Sequence, residues 1–182
     1  IPNFGTYVLL LTWEDERYAD AFFEKNVFYN NYIKKSDESF NVYAHAAESH
    51  GKWDDKAPFE NVTSSSPNGP VLVLTRARIR FSKLISFWRK VGKVSHSLDN
   101  YSGVPISIGV GEWPLIQQAT ISIWKNQQKM IDYAYKNPKH QEVIRLTRKL
   151  NWYSEELFAR FVPYKFAGVW NNKDARNLLK DE

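Results

Sequence analysis

The sequence contains no cysteine. Disulfides, thiolate nucleophiles, Cys-ligated zinc and Cys-ligated iron–sulfur clusters are therefore excluded together, which leaves His45, His50, His96 and His140 as the nitrogen ligands for a metal. Redox chemistry in such a chain must come from a cofactor. No apolar run approaches the roughly 20 residues of a membrane-spanning helix, and the first residues lack the order of charged, apolar and small residues of a secretion signal. A start at Ile1-Pro2, without Met, leads us to expect that some N-terminal sequence has been lost or processed. A Gly-x-Ser-x-Gly elbow and a Walker loop are missing, and Gly109-Val110-Gly111-Glu112 lacks the third glycine of a dinucleotide fingerprint. Hydrolase and nucleotide-dependent chemistries lose ground accordingly.

What is present is apolar, aromatic and basic. Apolar residues make up 43% and aromatics 15% of the 182 residues, more than a disordered polymer carries, so we expect a soluble globular protein of one domain or two small subdomains. The net charge of +5 gathers in one run, Arg76, Arg78, Arg80, Lys83, Arg89, Lys90 and Lys93. Such a run is either a solvated face or an anion site. Asn61-Val62-Thr63 and Asn100-Tyr101-Ser102 match the glycosylation sequon, a pattern short enough to arise by chance.

Residues 7–13 read as a strand. A helix follows, with Glu14, Asp15 and Glu16 at its positive end and Ala19, Phe22, Phe23 and Val27 for burial, then a second strand over 40–47. Residues 49–70 shift to Gly, Asp, Pro, Ser and Asn, with 64–70 the most flexible part, and mark a connector. This divides the chain into a partial half with connector (1–66), a complete half (67–170) and a polar tail (171–182) whose Leu178-Leu179 suits either a docked helix or a mobile end. In the complete half a strand spans 71–79, and Ser82 can cap a helix carrying Leu84, Ile85, Phe87, Trp88, Val91, Val94 and Leu98. Strands over 106–111 and 118–124 come next, then a helix from about Gln127, broken at Asn137-Pro138 and resumed to Leu150, and a last strand over 157–162. This β-α-β-β-α-β order is the ferredoxin-like split unit. A shift of about 111 positions lays Trp13 on Trp124, Lys25-Asn26 on Lys136-Asn137 and Ile33 on Ile144. The expected fold class is α+β, with duplicated ferredoxin-like units of the dimeric α/β-barrel type and the first unit incomplete.

Strand alternation suggests where a pocket lies. With Ile121 and Ile123 packed under the helices, Gln118, Thr120, Ser122 and Trp124 point to the other face, and Ser107, Gly109 and Gly111 join them from the neighbouring strand. Small side chains there leave room for a cofactor or substrate, unless Trp124 and other aromatics fill it. His140 shares a helical stripe with Val143, Ile144 and Thr147, so its ring belongs to the buried side, either as a satisfied core histidine or as a ligand. Arg148 flanks that stripe two turns on. A buried imidazole with a nearby cation suits haem, where histidine binds iron and arginine pairs with a propionate. His45 and His50 are spaced for neither a helix pair nor a strand pair, and His96 late in a helix is ordinary.

Several motifs occur in order. Gly51-Lys52-Trp53 with Pro58-Phe59-Glu60, Leu74-Thr75-Arg76-Ala77-Arg78-Ile79-Arg80 with Phe87-Trp88, Ile108-Gly109-Val110-Gly111-Glu112 and Ala119-Thr120-Ile121-Ser122-Ile123-Trp124 come first. His140, Thr147-Arg148, Trp152 and Glu155-Glu156-Leu157-Phe158-Ala159-Arg160-Phe161 complete them. Together they resemble the spheroidene monooxygenase family over about residues 7–163. The resemblance implies a haem-dependent oxygenase acting on a terminal carbon of an acyclic carotenoid, on a fold akin to chlorite dismutases and dye-decolourising peroxidases. It implies haem b iron on His140, with Arg148, Gly109, Gly111 and Thr120 around the cofactor, and Arg76 and Ser122 as polar groups of the catalytic pocket.

The leading expectation is thus a haem-dependent monooxygenase with an apolar small-molecule substrate and an unidentified electron donor. A non-catalytic haem or apolar-ligand carrier is the alternative. Nucleic-acid binding is not expected, because the aromatic signature of an RNA-recognition sheet is missing. The protein is expected in the cytoplasm, with peripheral membrane contact and homo-oligomerisation left open.

Overall fold

The structure, a computed structural model, describes residues 5–59, 68–99, 101–113 and 115–177, without the side chains at 92–99, 139 and 176. Ile1-Pro2, Pro58-Phe59-Glu60 beyond Phe59, the first sequon, Asn100 of the second, residues 64–67, the side chains of Lys93, Val94, His96 and Leu98, and Leu178-Leu179 lie outside the described residues.

Elements follow in the order α1 (Glu16–Lys25), α2 (Val27–Ile33), β1 (Phe40–Gly51), β2 (Val71–Ile79), α3 (Leu84–Asp99), β3 (Ile106–Trp113), β4 (Gln117–Trp124), α4 (Gln127–Lys136), α5 (Pro138–Leu150), β5 (Tyr153–Trp170) and β6 (Lys173–Asp174). The strands form one sheet in the order β1-β5-β2-β4-β3, with β6 paired to β5. Strands β2, β3, β4 and β5 with their helices have the antiparallel order of a ferredoxin-like split unit. No helix among the described residues is long and apolar enough to cross a membrane.

The chain divides into two compact units, one of residues 1–6 and 43–164, the other of 7–42 and 165–182. In the first, the direct register from β3 through β4 and β2 to β5 lays residues out in rows. Gly109, Thr120, Thr75 and Phe158 form one row, with Ser107, Ser122, Val73 and Arg160 beside it. These rows share the face covered by helices, because Val71, Val73 and Trp124 pack on Tyr133 of α4, and Ile79 packs on Phe87 of α3 and on Trp152. The opposite face carries Leu74, Leu157, Ala159 and Phe161, joined by Ile121, Ala44 and Ala46 and by Trp53 and Phe59 from the segment after β1.

This reverses the expected facing of β3 and β4. Ile121 belongs to the face away from the helices, whereas Ser122 and Trp124 lie beneath them. Both faces of the sheet bury apolar side chains, so alternation identifies the two sets of residues but not which of them the helices choose. Ser82 also departs from expectation: it lies in a 3-10 turn, Phe81–Lys83, that leads into α3. The helix break is as expected, with Asn137 capping α5 through a bond from the His140 N–H at 3.1 Å.

The second unit contains α1 and α2. Ala19 is buried and Phe22 and Phe23 are half-buried, but Val27 is exposed, as its place at the start of α2 turns it outward. Residues 7–13 carry no strand pairing among the described residues, and Tyr7, Leu9 and Leu10 are exposed. The apolar sequence of a strand is present there without a neighbour to supply its hydrogen bonds.

Positions 111 apart behave alike. The helix Glu16–Lys25 matches Gln127–Lys136 end for end, capped by Asp15 and Asn126. Asn26 accepts from the Tyr29 N–H as Asn137 does from the His140 N–H. Trp13 and Phe22 lie 5.3 Å apart at 49°, and Trp124 and Tyr133 5.4 Å apart at 50°.

The two hairpins that follow β1 and β5 also match. Gly51 (φ 92) and Gly168 (φ 98) each turn the chain in the left-handed region, and a Cβ at either would collide with a backbone carbonyl, of Glu156 or of Ser39. Each glycine is followed by a tryptophan two residues on and a left-handed pair, Asp54-Asp55 or Asn171-Asn172. Gly51→Ala and Gly168→Ala should each lower stability by about 1–3 kcal/mol in urea denaturation, against a change near zero for alanine at an ordinary exposed position.

Candidate functional site

The helix-side core of the first unit is split. One cluster, Val71, Val73, Trp124 and Tyr133 with Met130 and Tyr101, lies under α4. Another, Ile79, Phe87 and Trp152 with Val91, Val143 and Leu146, lies between α3 and α5. Between them the sheet presents the row Gly109-Thr120-Thr75, and Thr75 is exposed although it sits at the middle of a central strand. A central-strand residue under a helical layer is normally enclosed, so its exposure marks a gap between the two clusters. The next row, Gly111-Gln118-Ala77-Glu156, continues the gap along the sheet. There the Gln118 side-chain nitrogen is buried without a hydrogen-bond partner, a state that costs free energy unless a ligand or water completes it.

His140 belongs to the same helical layer. Its half-buried ring lies 5.1 Å from that of Tyr133, itself 5.4 Å from Trp124. The imidazole has no hydrogen-bond partner among the described residues, and burial lowers its pKa below the ordinary 6.5. It is therefore neutral at pH 7, the form that binds a metal. Val143 on the same stripe packs inward, while Ile144 is exposed. Thus His140, Gly109, Gly111 and Thr120 share the layer between sheet and helices. Ser122 is there too, but its buried Oγ accepts the Trp124 Nε1–H at 2.9 Å. Arg148 is exposed in the last turn of α5.

Arg76 is not with them. Its register partners Ala119 and Leu157 place it on the face away from the helices, where its side chain is only 1% exposed. Its Nε and Nη1 donate to Glu112 and Glu155 at 2.7 Å each, its Nη2 lies 3.4 Å from Asp54, and its guanidinium sits 4.6 Å from the centre of the Trp53 ring. Burial alone would depress its pKa, but the hydrogen bonds to Glu112 and Glu155 and the charges of Glu112 and Asp54 raise it above the usual arginine value. Burial likewise pushes Glu155 up, and the Asp55 N–H, Arg76, the Asp54 N–H and the Arg78 charge pull it below the usual carboxylate range. Arg78 pairs with Asp54 as well. Every donor edge of Arg76 is thus engaged, and these contacts hold the Trp53 hairpin to the sheet. The adjacent open cleft of about 290 Å³ is lined by Lys52, Arg78, Glu155 and Glu156 and contains no histidine or hydroxyl positioned on a base.

The other described histidines stand elsewhere: His45 stacks on Tyr164 at 4.6 Å, and His50 pairs with Glu48 at 2.9 Å. Among the described residues no three His, Asp or Glu side chains gather to hold a metal ion. Sequence reasoning named Gln118 only as a pocket-facing residue. Its signal, a glutamine beside two glycines on the neighbouring strand, gains meaning only when the register shows that the amide is orphaned.

Two outcomes follow. Arg76→Met leaves buried Glu155 with only the more distant Arg78 guanidinium, at 3.8 Å, and should cost about 3 kcal/mol of stability, read from the urea midpoint. Acidification should destabilise the protein in two windows. Below about pH 6.5 the unfolded chain protonates His140 before the folded one does, and stability falls until the lowered folded pKa is reached. The stability contributed by Glu155 is complete above its unfolded value of about 4.5 and is lost as pH falls through its folded pKa. His140→Phe should flatten the first window and leave the second.

Comparison with known proteins places this site in context. No family model matches the chain. The spheroidene monooxygenase of Cereibacter sphaeroides is 37% identical over 174 residues, which cover 95% of this chain and 54% of that protein, so the chain spans about half the length of that relative. The spheroidene monooxygenase of Rhodobacter capsulatus is 31% identical over 185 residues, covering all of this chain and 77% of that protein, and that of Rubrivivax gelatinosus is 36% identical over 173 residues. Among solved structures, a protein assigned as a monooxygenase from Fusobacterium nucleatum has a TM-score of 0.50 at 9% identity, over 85% of this chain and 67% of that one, a likeness of fold alone. On these identities and lengths the chain belongs to the spheroidene monooxygenase family.

Proposed function

We propose that the chain forms the cofactor-binding part of a haem-dependent monooxygenase acting on an apolar substrate, an acyclic carotenoid, with His140 as the iron ligand. The observation that carries this reading is the gap in the helix-side core, floored by Gly109, Thr120 and exposed Thr75 in the layer that also contains the unpartnered imidazole. A lone histidine suits haem in particular, because the porphyrin brings its own four nitrogens and asks one ligand of the protein. Haem, when bound, supplies oxygen activation at iron. The residues do the rest. His140 binds as a neutral imidazole, and Gly109, Gly111 and Thr120 leave room where larger side chains would close the gap. The Gln118 amide offers a donor to a polar atom within it, and Arg148 offers a cation to a carboxylate at its rim. Arg76 and Ser122, already committed to Glu112, Glu155 and Trp124, act through structure. The spheroidene monooxygenase names of the relatives support the carotenoid as substrate.

We further propose that the chain is an internal duplication, supported by the matched helices, caps and ring pairs at positions 111 apart. Tyr29 then stands in the first copy where His140 stands in the second, so each chain has one iron ligand of this kind.

The test is a hemin titration of the full chain followed by absorbance. A saturable Soret shift is expected, lost in His140→Ala and weakened at least about tenfold in Thr75→Trp, which fills the gap. A folded chain that takes up no hemin, or a His140→Ala chain with unchanged spectrum, overturns the reading. Stoichiometric uptake without oxygen- or peroxide-dependent product from a carotenoid would leave a haem carrier instead.

A further inference from the structure

The basic run has a structural sequel that the proposed site does not use. From Val71 to Leu98 the sequence contains seven basic side chains and no acidic one. Arg76 and Arg78 are consumed by Asp54, Glu112 and Glu155. Arg80, Lys83, Arg89 and Lys90 have no acidic partner among the described residues, and Arg80, Arg89 and Lys90 are exposed. Set among them are four large apolar side chains turned to solvent: Phe81 is 82% exposed, Ile85 77%, Trp113 63% and Leu115 53%.

These residues form one surface rather than four isolated exposures. Phe81, Ile85 and Arg89 follow one another at four-residue spacing along the turn and the first part of α3. The β3–β4 hairpin is tied to the same place by two bonds. The Ile79 N–H donates to the Ile116 carbonyl at 2.8 Å, and Trp88 Nε1 on α3 donates to the Leu115 carbonyl at 3.1 Å. Leu115 itself holds φ at 70, a left-handed conformation that is costly for a leucine and that keeps its side chain at the exposed tip. Contiguous exposed apolar side chains rimmed by cations are unusual on a soluble surface and mark an interaction site.

We propose that Phe81, Ile85, Trp113 and Leu115, with Arg80, Lys83, Arg89 and Lys90 around them, form a docking surface for an anionic lipid bilayer. Charge complementarity selects this occupant: the rim is cationic with no compensating carboxylate among the described residues, and the centre combines aliphatic tips with a tryptophan, the side chain enriched at membrane–water interfaces. Ile85 and Leu115 offer nothing to stack on a nucleic-acid base, and a second copy of this chain would bring the same uncompensated cations against these. The inference stands apart from the haem reading, since it needs neither the cofactor nor His140.

The test is co-sedimentation of the full chain with vesicles of phosphatidylcholine alone and of phosphatidylcholine with phosphatidylglycerol. Binding to the anionic vesicles, weakened by salt, is expected, with a blue shift of tryptophan emission that Trp113→Phe removes. Phe81→Ser with Ile85→Ser should reduce partitioning at least about tenfold, and Arg89→Gln with Lys90→Gln on the order of 25-fold, at about one kcal/mol per charge. All of these residues are exposed, so unchanged far-UV circular dichroism and thermal midpoint are expected and confirm that the variants are folded. Equal binding to neutral and anionic vesicles, unaltered binding by both double variants, preferential binding of a mixed RNA pool, or a dimer abolished by Phe81→Ser with Ile85→Ser would each overturn the proposal.

Discussion

Strand β2 places two opposite requirements on adjacent residues, and much of the first unit depends on how both are met. Arg76 points away from the helices and is the most enclosed charge among the described residues, gripped by Glu112 and Glu155 and covered by Trp53. Thr75, one residue earlier, points toward the helices and is exposed. A buried guanidinium is tolerable only when its donors are satisfied in a fixed geometry. Satisfying them fixes the end of β3 through Glu112, the start of β5 through Glu155 and the Trp53 hairpin through Asp54. The far face of the sheet is thereby held together without help from the helices. The helical layer can then leave a gap over Thr75 without loosening the strands that form its floor.

That division of labour gives the two faces different packing. Cations on the far face are neutralised, while Arg80, Lys83, Arg89 and Lys90, which lead into and along α3, have no acidic partner among the described residues. The helix-side clusters lie at the two ends of the gap, aromatic under α4 and mixed between α3 and α5. A flat apolar ligand entering between them would meet small residues beneath and aromatic edges beside it.

Local sequence made several of these features legible. The bounds of β2, the helix break at Asn137-Pro138 and the strand order of a split unit follow from alternation, proline chemistry and turn residues, all of which act over a few positions. The facing of β4 did not follow, because Ile121, Ile123, Ser122 and Trp124 are all compatible with burial and the choice is made by Tyr133 from another element. Nor does local sequence show which side of β2 Arg76 serves: an arginine on a central strand reads equally as a ligand's counter-ion or as a structural clamp, and the carboxylates it meets, Asp54, Glu112 and Glu155, are scattered in sequence. Residues 7–13 show the converse, a strand sequence whose pairing depends on something other than its own residues. That Gly109, Gly111 and Thr120 share one face follows from alternation, but the side of the sheet on which that face lies, and so its sharing a layer with His140, does not.

The two hairpins show what a shared local sequence can and cannot specify. After β1, the Asp54 and Asp55 N–H groups donate to the Glu155 carboxylate at 3.1 and 2.8 Å. After β5, the Asn171 and Asn172 N–H groups donate to Glu38 at 2.8 and 2.7 Å. The same Gly-x-Trp turn with two left-handed residues makes the same carboxylate nest in both places. Only the first nest also receives a guanidinium; Glu38 has no cationic partner among the described residues. The nest is therefore a property of the turn, whereas the clamp is a property of β2. In the same way Asn26 and Asn137 cap alike, yet one presents Tyr29 and the other His140. Under the proposed duplication, backbone geometry was kept while the side chain three residues after the cap diverged, a tyrosine in one copy and a histidine in the other.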